Sequence, residues 1–102
     1  MTITMVRYTV RPEHAAANEE LVRAVYAELH ETHPGGLRYA TFCAADGVGF
    51  VHLAVNDAEP GASPLTALPA FRRFQEGIRE RCVEPPVAVE LRQVGAFGLL
   101  GP

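Results

Sequence analysis

The chain has 102 residues, of which 48% are hydrophobic and 21% are charged, and its formal net charge is −3. This length and composition are typical of one globular domain, spanning residues 1–102. Such a domain is large enough to fold without a metal ion or a disulfide framework. The acidic balance argues against nucleic acid and against an anionic membrane surface as the main partner.

The cysteine content and the N-terminal sequence bear on the cellular compartment. Cys43 and Cys82 are too few for a disulfide framework, so both are predicted to be reduced thiols. The first residues lack the basic region and apolar run of a signal peptide, and no apolar run approaches the roughly 18 residues of a membrane span. The sequence therefore predicts a soluble cytoplasmic protein with no membrane partner.

The first third of the chain predicts a strand followed by a helix. Residues 3–11 alternate in polarity and are rich in β-forming side chains, with Val6 and Tyr8 on one face and Met5 and Arg7 on the other. Residues 13–33 are predicted to be helical, and the Pro-Gly-Gly run at 34–36 is expected to end this helix. The apolar stripe of the helix consists of Leu21, Val25 and Leu29.

Residues 36–56 are predicted to form a hairpin, because Asp-Gly at 46–47 separates two apolar, β-rich runs. A two-residue turn pairs Thr41 with His52 and Cys43 with Phe50. A four-residue loop keeps this register, whereas a three-residue loop would reverse one strand. The mixed face carries Tyr39, Thr41, Cys43, Phe50, His52 and Ala54, and the aliphatic face carries Arg38, Ala40, Phe42, Val51, Leu53 and Val55. The aliphatic face is expected to pack against the helices.

The second half of the chain is predicted to contain a loop, a helix and a strand. Residues 57–69 form the loop, with one helical turn begun by Ser63 as N-cap and Pro64 at the first helical position. Pro69 opens the second helix, Gly77 weakens its centre, and a Glu-Pro-Pro run at 84–86 ends it. Its apolar stripe is Phe71, Phe74, Ile78 and Cys82, and its polar side includes Arg72, Arg73, Glu76, Arg79, Glu80 and Arg81. Residues 87–97 are predicted to be the last strand.

The resulting order, β-α-β-β-α-β, is that of the α+β ferredoxin-like fold with a four-stranded antiparallel sheet. Both helices would cover one face of the sheet, with the first and third strands at its centre. The other face is expected to carry Met5, Arg7, Phe50, His52 and Ala54. A partly apolar open face predicts a partner, and a second copy of the chain is the simplest one. Two sheets that meet in this way enclose a space suited to a ligand.

Five segments of the sequence resemble one known group of proteins. They are R-Y-T-V-R-P-E-H at 7–14, G-G-L-R-Y-A-T-F at 35–42, D-G-V-G-F-V-H-L at 46–53, P-L-T-A-L-P-A-F at 64–71 and E-P-P-V-A-V-E-L at 84–91. Together they resemble small bacterial members of the dimeric α/β-barrel superfamily, which includes the antibiotic biosynthesis monooxygenase group. The resemblance implies a homodimeric barrel with a pocket. The superfamily contains cofactor-free oxygenases of quinol-like aromatics, haem-degrading and haem-dependent enzymes and isomerases, so it leaves the reaction open.

His52 is the candidate catalytic residue. Its imidazole, beside Thr41, would act as a general base near neutral pH. In a cofactor-free oxygenase the base removes a proton from an electron-rich phenol or enol, and the resulting carbanion reduces O2. Arg7 or Arg92 would hold the anion. The alternative is a histidine that is hydrogen-bonded in the dimer interface and has no catalytic role.

Other polar residues have two interpretations each. Arg7, Glu90 and Arg92 either line the pocket or form an ion-pair network between chains. Tyr39 and Cys43 either contact a ligand or serve in packing. The predicted ligand contacts are Arg7, Tyr39, Thr41, Cys43, Phe50 and Arg92.

No cofactor and no metal ion are predicted. His30 and His33 stand three residues apart, whereas the zinc-protease motif H-E-x-x-H spaces its histidines by four. The favoured function is cofactor-free monooxygenation of a quinol-like or polyketide aromatic in a pocket between the sheet and the helices. A non-catalytic protein that binds a small apolar ligand and a structural or regulatory homodimer are the alternatives.

Overall fold

A computed structural model of the protein describes residues 1–57 and 63–99. The strands are β1 (Thr2–Val10), β2 (Leu37–Cys43), β3 (Gly49–Asn56) and β4 (Cys82–Leu91), and the helices are α1 (Ala15–Thr32), α2 (Pro69–Gln75) and α3 (Ile78–Arg81). Short 3-10 helices lie at Pro12–His14 and Pro64–Ala67. Residues 58–62 of the loop predicted at 57–69 lie outside the described residues. No helix within the described ranges is long and apolar enough to cross a membrane.

The four strands form one antiparallel sheet in the order β2-β3-β1-β4. Strands β1 and β3 are therefore central, as predicted, and the α+β ferredoxin-like fold is confirmed. The strands β2 and β4 form the two edges of the sheet.

The register predicted for the hairpin is confirmed. Thr41 pairs with His52 and Cys43 pairs with Phe50. The connection is longer than the predicted two-residue turn, because β2 ends at Cys43 and β3 begins at Gly49. The Asp46 carboxylate stabilises this loop by accepting hydrogen bonds from the backbone N–H groups of Val48 and Gly49, each at 2.9 Å. The longer loop keeps the register that a two-residue turn would give.

The second helical region is divided at Gly77. The helix α2 ends at Gln75, and Gly77 takes a left-handed backbone conformation with φ 71° before α3 begins. Such a conformation favours glycine, because it has no Cβ. The N-cap prediction is confirmed at Ser63, whose hydroxyl oxygen accepts a hydrogen bond from the Leu65 N–H at 3.3 Å.

The predicted bounds of the last strand are wrong. Strand β4 begins at Cys82 and ends at Leu91, whereas the sequence predicted residues 87–97. Pro85 and Pro86 were expected only to end a helix, but they lie within the strand. An edge strand tolerates them, because its outer side has no ladder to which an N–H must donate. The pairing of β1 with β4 is also irregular near Thr9.

The prediction of which sheet face the helices cover is wrong as well. The helices pack on the mixed face: Tyr26 of α1 contacts Thr41, and Phe74 of α2 contacts His52. The aliphatic face of the hairpin, with Phe42 at 50% exposure, has no helix on it among the described elements. Aromatic rings of the sheet and of α2 meet on the covered face.

The main core lies between this covered face and the helices. Its buried members are Tyr8, Val10, Val22, Val25, Phe50, Leu65, Leu68, Ala70, Phe74 and Cys82. Tyr8 and Phe50 are paired across β1 and β3, and their rings stack with centroids 5.5 Å apart. This stack occupies one end of the covered face and leaves space at the other end.

Candidate functional site

A cavity of about 590 Å³ lies between the covered face of the sheet and the helices that follow residue 63. A volume of this size suits a drug-sized ligand. The lining residues are Thr2, Thr4, Val6, Tyr8, Tyr39, His52, Ala54, Asn56, Ser63, Leu65, Phe71, Phe74, Gln75, Ile78, Pro86 and Glu90. The pocket is therefore within one chain, between sheet and helices, and not at the open sheet face.

His52 lies in the wall of this cavity and is only 4% exposed. Its Nε2 is 2.8 Å from the Tyr8 hydroxyl, and its Nδ1 is 2.6 Å from the Tyr39 hydroxyl and 3.1 Å from the Thr41 hydroxyl. Burial lowers the pKa of His52 to about 4, so the imidazole is neutral at pH 7. Both ring nitrogens are thus engaged, and the ring is a weak base.

The hydrogen bonds continue from Tyr8 into the helices. The Asn18 side chain of α1 is fully buried and donates to the Tyr8 hydroxyl at 2.9 Å. The Arg81 Nε of α3 donates to the Asn18 carbonyl oxygen at 3.2 Å. Arg81 also donates to the backbone carbonyls of Phe74 at 2.6 Å and Glu76 at 2.9 Å. We call Arg81, Asn18, Tyr8, His52 and Tyr39 the buried network.

A second branch joins the buried network to α1. The Tyr26 and Thr41 hydroxyls are 2.7 Å apart, and the rings of Tyr26 and Tyr39 stack with centroids 5.3 Å apart. Burial raises the pKa of Tyr39 and of Tyr8 far above that of a free phenol. Both phenols are therefore neutral hydrogen-bond donors at physiological pH.

The charged residues around the cavity are few. Among the lining residues that the structure describes, Glu90 is the only carboxylate, and none is a lysine or an arginine. Two phenylalanines, Phe71 and Phe74, form part of the wall, with ring centroids 6.0 Å apart. This combination favours a neutral, aromatic ligand over an anion.

Only part of the predicted ligand-contacting set lies together. Tyr39 and His52 line the cavity, and Thr41 supports His52 from behind. Phe50 is buried under Tyr8 and is not among the lining residues, and Cys43 is exposed at the end of β2. The prediction that all of these would form one ligand surface is therefore wrong for Phe50 and Cys43.

The two predicted anion-binding arginines are not at the cavity. Arg7 pairs with Val51 of β3 and is exposed. It lies on the face of the sheet that carries Phe42 and Val51, opposite His52, which we call the bare face. The prediction had placed Arg7 and His52 on one face, but the observed register puts Val6, not Arg7, opposite His52. Arg92 follows the end of β4 and is exposed. Arg7 and Glu90 also lie on opposite faces, so no single network joins them.

Three of the five residues of the buried network, Tyr8, Asn18 and Arg81, were not among the functional residues predicted from the sequence. Asn18 is four residues before Val22 and seven before Val25, so it falls on the buried stripe of α1. Arg81 is seven residues after Phe74 and was assigned to the polar side, yet it is 9% exposed. A polar residue at an apolar position of the helical repeat was the available signal in both cases.

Comparison with solved structures identifies the fold. SnoaB, a cofactor-independent oxygenase from Streptomyces nogalater, aligns with a TM-score of 0.66 at 18% identity over 95% of this chain and 97% of its own. A protein from Nitrosomonas europaea, described as a candidate antibiotic biosynthesis monooxygenase, aligns with a TM-score of 0.75 at 20% identity over 93% and 100%. A protein from Bacteroides thetaiotaomicron with the same description gives 0.77 at 14% identity over 96% and 92%.

The chain thus has the ferredoxin-like fold of antibiotic biosynthesis monooxygenase-like structures, which is the fold that the resemblance implied. No family model and no curated protein matches the sequence. At these identities the alignments establish the fold, and the function has to be argued from the site.

Proposed function

We propose that the chain binds a small, neutral aromatic molecule in the cavity beside His52 and Tyr39 and catalyses its monooxygenation without a cofactor. The observation that carries this proposal is the 590 Å³ cavity whose mainly apolar wall presents the hydrogen-bonded pair of Tyr39 and His52. The fold shared with a cofactor-independent oxygenase supports the class of reaction. The cytoplasmic location stays a prediction from the sequence.

The proposed reaction starts from an electron-rich aromatic that has an acidic C–H group beside a carbonyl, or the O–H group of the corresponding phenol or enol. Loss of that proton to the base gives an enolate or phenolate, which transfers an electron to O2. The resulting radical pair combines to a peroxide anion, which takes the proton back from the base and becomes a hydroperoxide. The hydroperoxide then loses water, so that one oxygen atom of O2 becomes a carbonyl oxygen and the other becomes water. No external reductant is required, because the substrate supplies all the electrons.

The roles of the residues differ from those expected from the sequence. Tyr39 would donate a hydrogen bond to the enolate oxygen as charge develops, which stabilises the transition state more than the ground state. His52 holds Tyr39, since both of its nitrogens are already hydrogen-bonded. Glu90 is the carboxylate that the described lining offers as proton acceptor.

A non-catalytic binding protein is the second candidate function. The low pKa of His52 and the engagement of both ring nitrogens favour it, because neither feature suits a general base at pH 7. The same cavity and the same ligand class apply to this alternative. Measured turnover of a bound ligand distinguishes the monooxygenase from the non-catalytic binding protein.

We also propose that the bare sheet face pairs with a second copy of the chain. Phe42, Val87 and Val89 are 50%, 48% and 38% exposed on this face. These side chains lie on the two edge strands of the face, β2 and β4, and a two-fold axis would cover them with their own copies. Because the cavity lies on the other face of the sheet, the proposed dimer leaves each cavity within one chain.

Oxygen uptake with a panel of anthrones and naphthohydroquinones under ¹⁸O2 tests the reaction. We expect one ¹⁸O atom in the product for each O2 consumed, with no added metal or flavin. Glu90→Gln should reduce kcat, whereas Glu84→Gln, at an exposed position of the same strand, should not. His52→Gln should weaken turnover less than Glu90→Gln.

Two results would decide against this proposal. Ligand binding without ¹⁸O incorporation would favour the binding protein. Equal turnover by the Glu90→Gln variant and the wild-type protein would show that Glu90 is not the proton acceptor.

A further inference from the structure

The buried network connects a permanently charged group to the wall of the cavity. Its origin is Arg81, which is 9% exposed, and its end is Tyr39, which lines the cavity. The consecutive distances are 3.2 Å from Arg81 to Asn18, 2.9 Å from Asn18 to Tyr8, 2.8 Å from Tyr8 to His52 and 2.6 Å from His52 to Tyr39. Each contact is short enough for a hydrogen bond, so the positions of the hydrogens can be derived in sequence.

The direction of the network is fixed at Arg81. A guanidinium group has five N–H donors and no acceptor, so the Asn18 atom facing it is the carbonyl oxygen. The Asn18 amide nitrogen therefore faces Tyr8 and donates to its oxygen. Because the Tyr8 oxygen accepts this bond, the Tyr8 hydroxyl hydrogen is left for its other neighbour, the Nε2 of His52.

The tautomer of His52 follows from this direction. A neutral imidazole has one N–H donor and one acceptor nitrogen, and Nε2 is the acceptor here. The proton is then on Nδ1, which donates to the Tyr39 oxygen at 2.6 Å and is also near the Thr41 oxygen at 3.1 Å. Burial keeps the ring neutral at pH 7, because it lowers the pKa of His52 to about 4.

Tyr39 is the last member, and its oxygen acts as an acceptor within the protein. It accepts the hydrogen bond from the Nδ1–H of His52 at 2.6 Å. The hydroxyl hydrogen of Tyr39 therefore points away from His52. Since Tyr39 and His52 line the same cavity, this hydrogen is available to a ligand there.

We infer that Arg81 and Asn18 are positioning residues, which hold His52 as the Nδ1–H tautomer and so make the Tyr39 hydroxyl a donor to the cavity. The ligand accordingly presents an acceptor oxygen, and a neutral aromatic ketone fits both this donor and the uncharged wall near it. The ligand class rests on the proposed function, whereas the tautomer of His52 does not.

The tautomer can be measured directly by ¹⁵N NMR of the imidazole nitrogens in the full chain at pH 7. The His52 signals are assigned by their loss in a His52→Gln variant, because the chain has four histidines. We expect an N–H type shift at Nδ1 and a lone-pair type shift at Nε2. A proton on Nε2, or on both nitrogens, overturns the inference.

Asn18→Asp is the variant that should reverse the direction of donation along the hydrogen bonds from Tyr8 to Tyr39. Its carboxylate has nearly the same shape as the amide but only accepts, so Tyr8 must donate to it instead of to His52. The Nε2 of His52 must then carry the proton, and Tyr39 must donate to Nδ1. We expect the two ¹⁵N shift types to exchange, while Glu20→Gln, at an exposed position of the same helix, leaves them unchanged. Retention of Nδ1–H in folded Asn18→Asp overturns the role of Asn18. If the variant does not fold, the wild-type spectrum decides.

A matched pair of probes, 1-tetralone and tetralin, tests the ligand class by NMR titration. They differ in the carbonyl oxygen, so we expect the wild-type protein to bind 1-tetralone about fivefold to tenfold more tightly, as one hydrogen bond allows. The ratio should approach one in Tyr39→Phe and in Asn18→Asp. Equal binding of both probes to the wild-type protein overturns the ligand class. Failure of both probes to bind contradicts the proposed function, and the tautomer result is independent of it.

Discussion

The two faces of the sheet differ in the side chains that they bury. An apolar face is usually expected under the helices, but here the helices cover the face with the hydrogen-bonded polar side chains. The covered face contains hydrogen-bonded polar side chains, including Tyr8, Thr41 and His52, while the bare face contains exposed Phe42 and Val89 as well as exposed Arg7. All buried side-chain polar atoms of the described residues have a hydrogen-bond partner. Polar groups are therefore tolerated under the helices because they are mutually satisfied. On the other face Ile3 and Val55 are buried, whereas Phe42, Val87 and Val89 are partly exposed.

The polarity of the side chains on each face of a strand therefore does not by itself identify which face is buried. A pattern of alternating residues gives two faces, and the choice between them depends on complementary groups elsewhere in the chain. Here Asn18 of α1 and Arg81 of α3 provide these groups. The following experiments test the two faces separately.

Removal of Arg81 should have the largest effect on stability. Arg81→Met keeps much of the side-chain volume but leaves the Asn18 oxygen and the backbone carbonyls of Phe74 and Glu76 without their donor. We expect the free energy of unfolding to fall by about 3 kcal/mol, measured by urea denaturation. Arg79→Met, at an exposed position of the same helix, should change it by less than about 0.5 kcal/mol. Equal losses in the two variants would show that Arg81 has no structural role in the covered face.

Acidification should be the next most damaging perturbation of the covered face. The pKa of His52 is about 4 in the folded chain and roughly 6.5 in the unfolded chain, so the unfolded state binds the proton first as the pH falls. The His52 contribution is fully present above about pH 6.5 and is lost as the pH falls towards 4. Between pH 7 and 4.5 we expect a loss of roughly 2 kcal/mol from this group.

The measurement is urea denaturation across this pH range for the wild-type protein and for His52→Gln. Glutamine has a donor and an acceptor but does not titrate. The acid-dependent loss of stability should therefore be smaller by roughly 2 kcal/mol in the variant. Parallel pH profiles would show that His52 is not the group that titrates.

A charge on the bare face should act on association and not on the fold. Val89→Glu places a carboxylate in the proposed interface, so we expect dimer dissociation constants to rise by about 10-fold to 100-fold in sedimentation experiments. The urea stability of the dissociated chain should be nearly unchanged. Val94→Glu, beyond β4 and 89% exposed, is the matched control. A wild-type chain that stays monomeric at high micromolar concentration would disprove the proposed dimer.

A substitution in the turn before α3 should have the smallest effect on the free energy of unfolding. Gly77 has φ 71°, so an alanine there strains the backbone that positions Arg81 for the buried network. We expect Gly77→Ala to lower the free energy of unfolding by about 1 kcal/mol. Gly95→Ala, where an added Cβ meets no atom within 4 Å, should be neutral. No difference between the two variants would indicate that the left-handed turn is not required.

The sequence was sufficient to predict the fold, because it rests on local signals. The Asp-Gly pair set the hairpin register, and the alternation of residues 3–11 identified the central strand. Prediction of the candidate site required information that local sequence patterns lack. Which face is covered depends on contacts between positions far apart in the chain, such as Asn18 with Arg81, and no periodicity predicts such a contact. His52 and Tyr39 were placed in a pocket because the register was right, while Arg7 was misplaced because the pairing of β1 with β3 was not predicted.

The central position of β1 has a consequence for how the chain folds. Strand β1 pairs on one side with β4, so that Ile3 meets Leu91. A growing chain on the ribosome can therefore form the hairpin and α1 early, but β1 keeps one side unpaired until β4 has been synthesised. Contacts of such long sequence separation slow folding, because a large loop must close before they form.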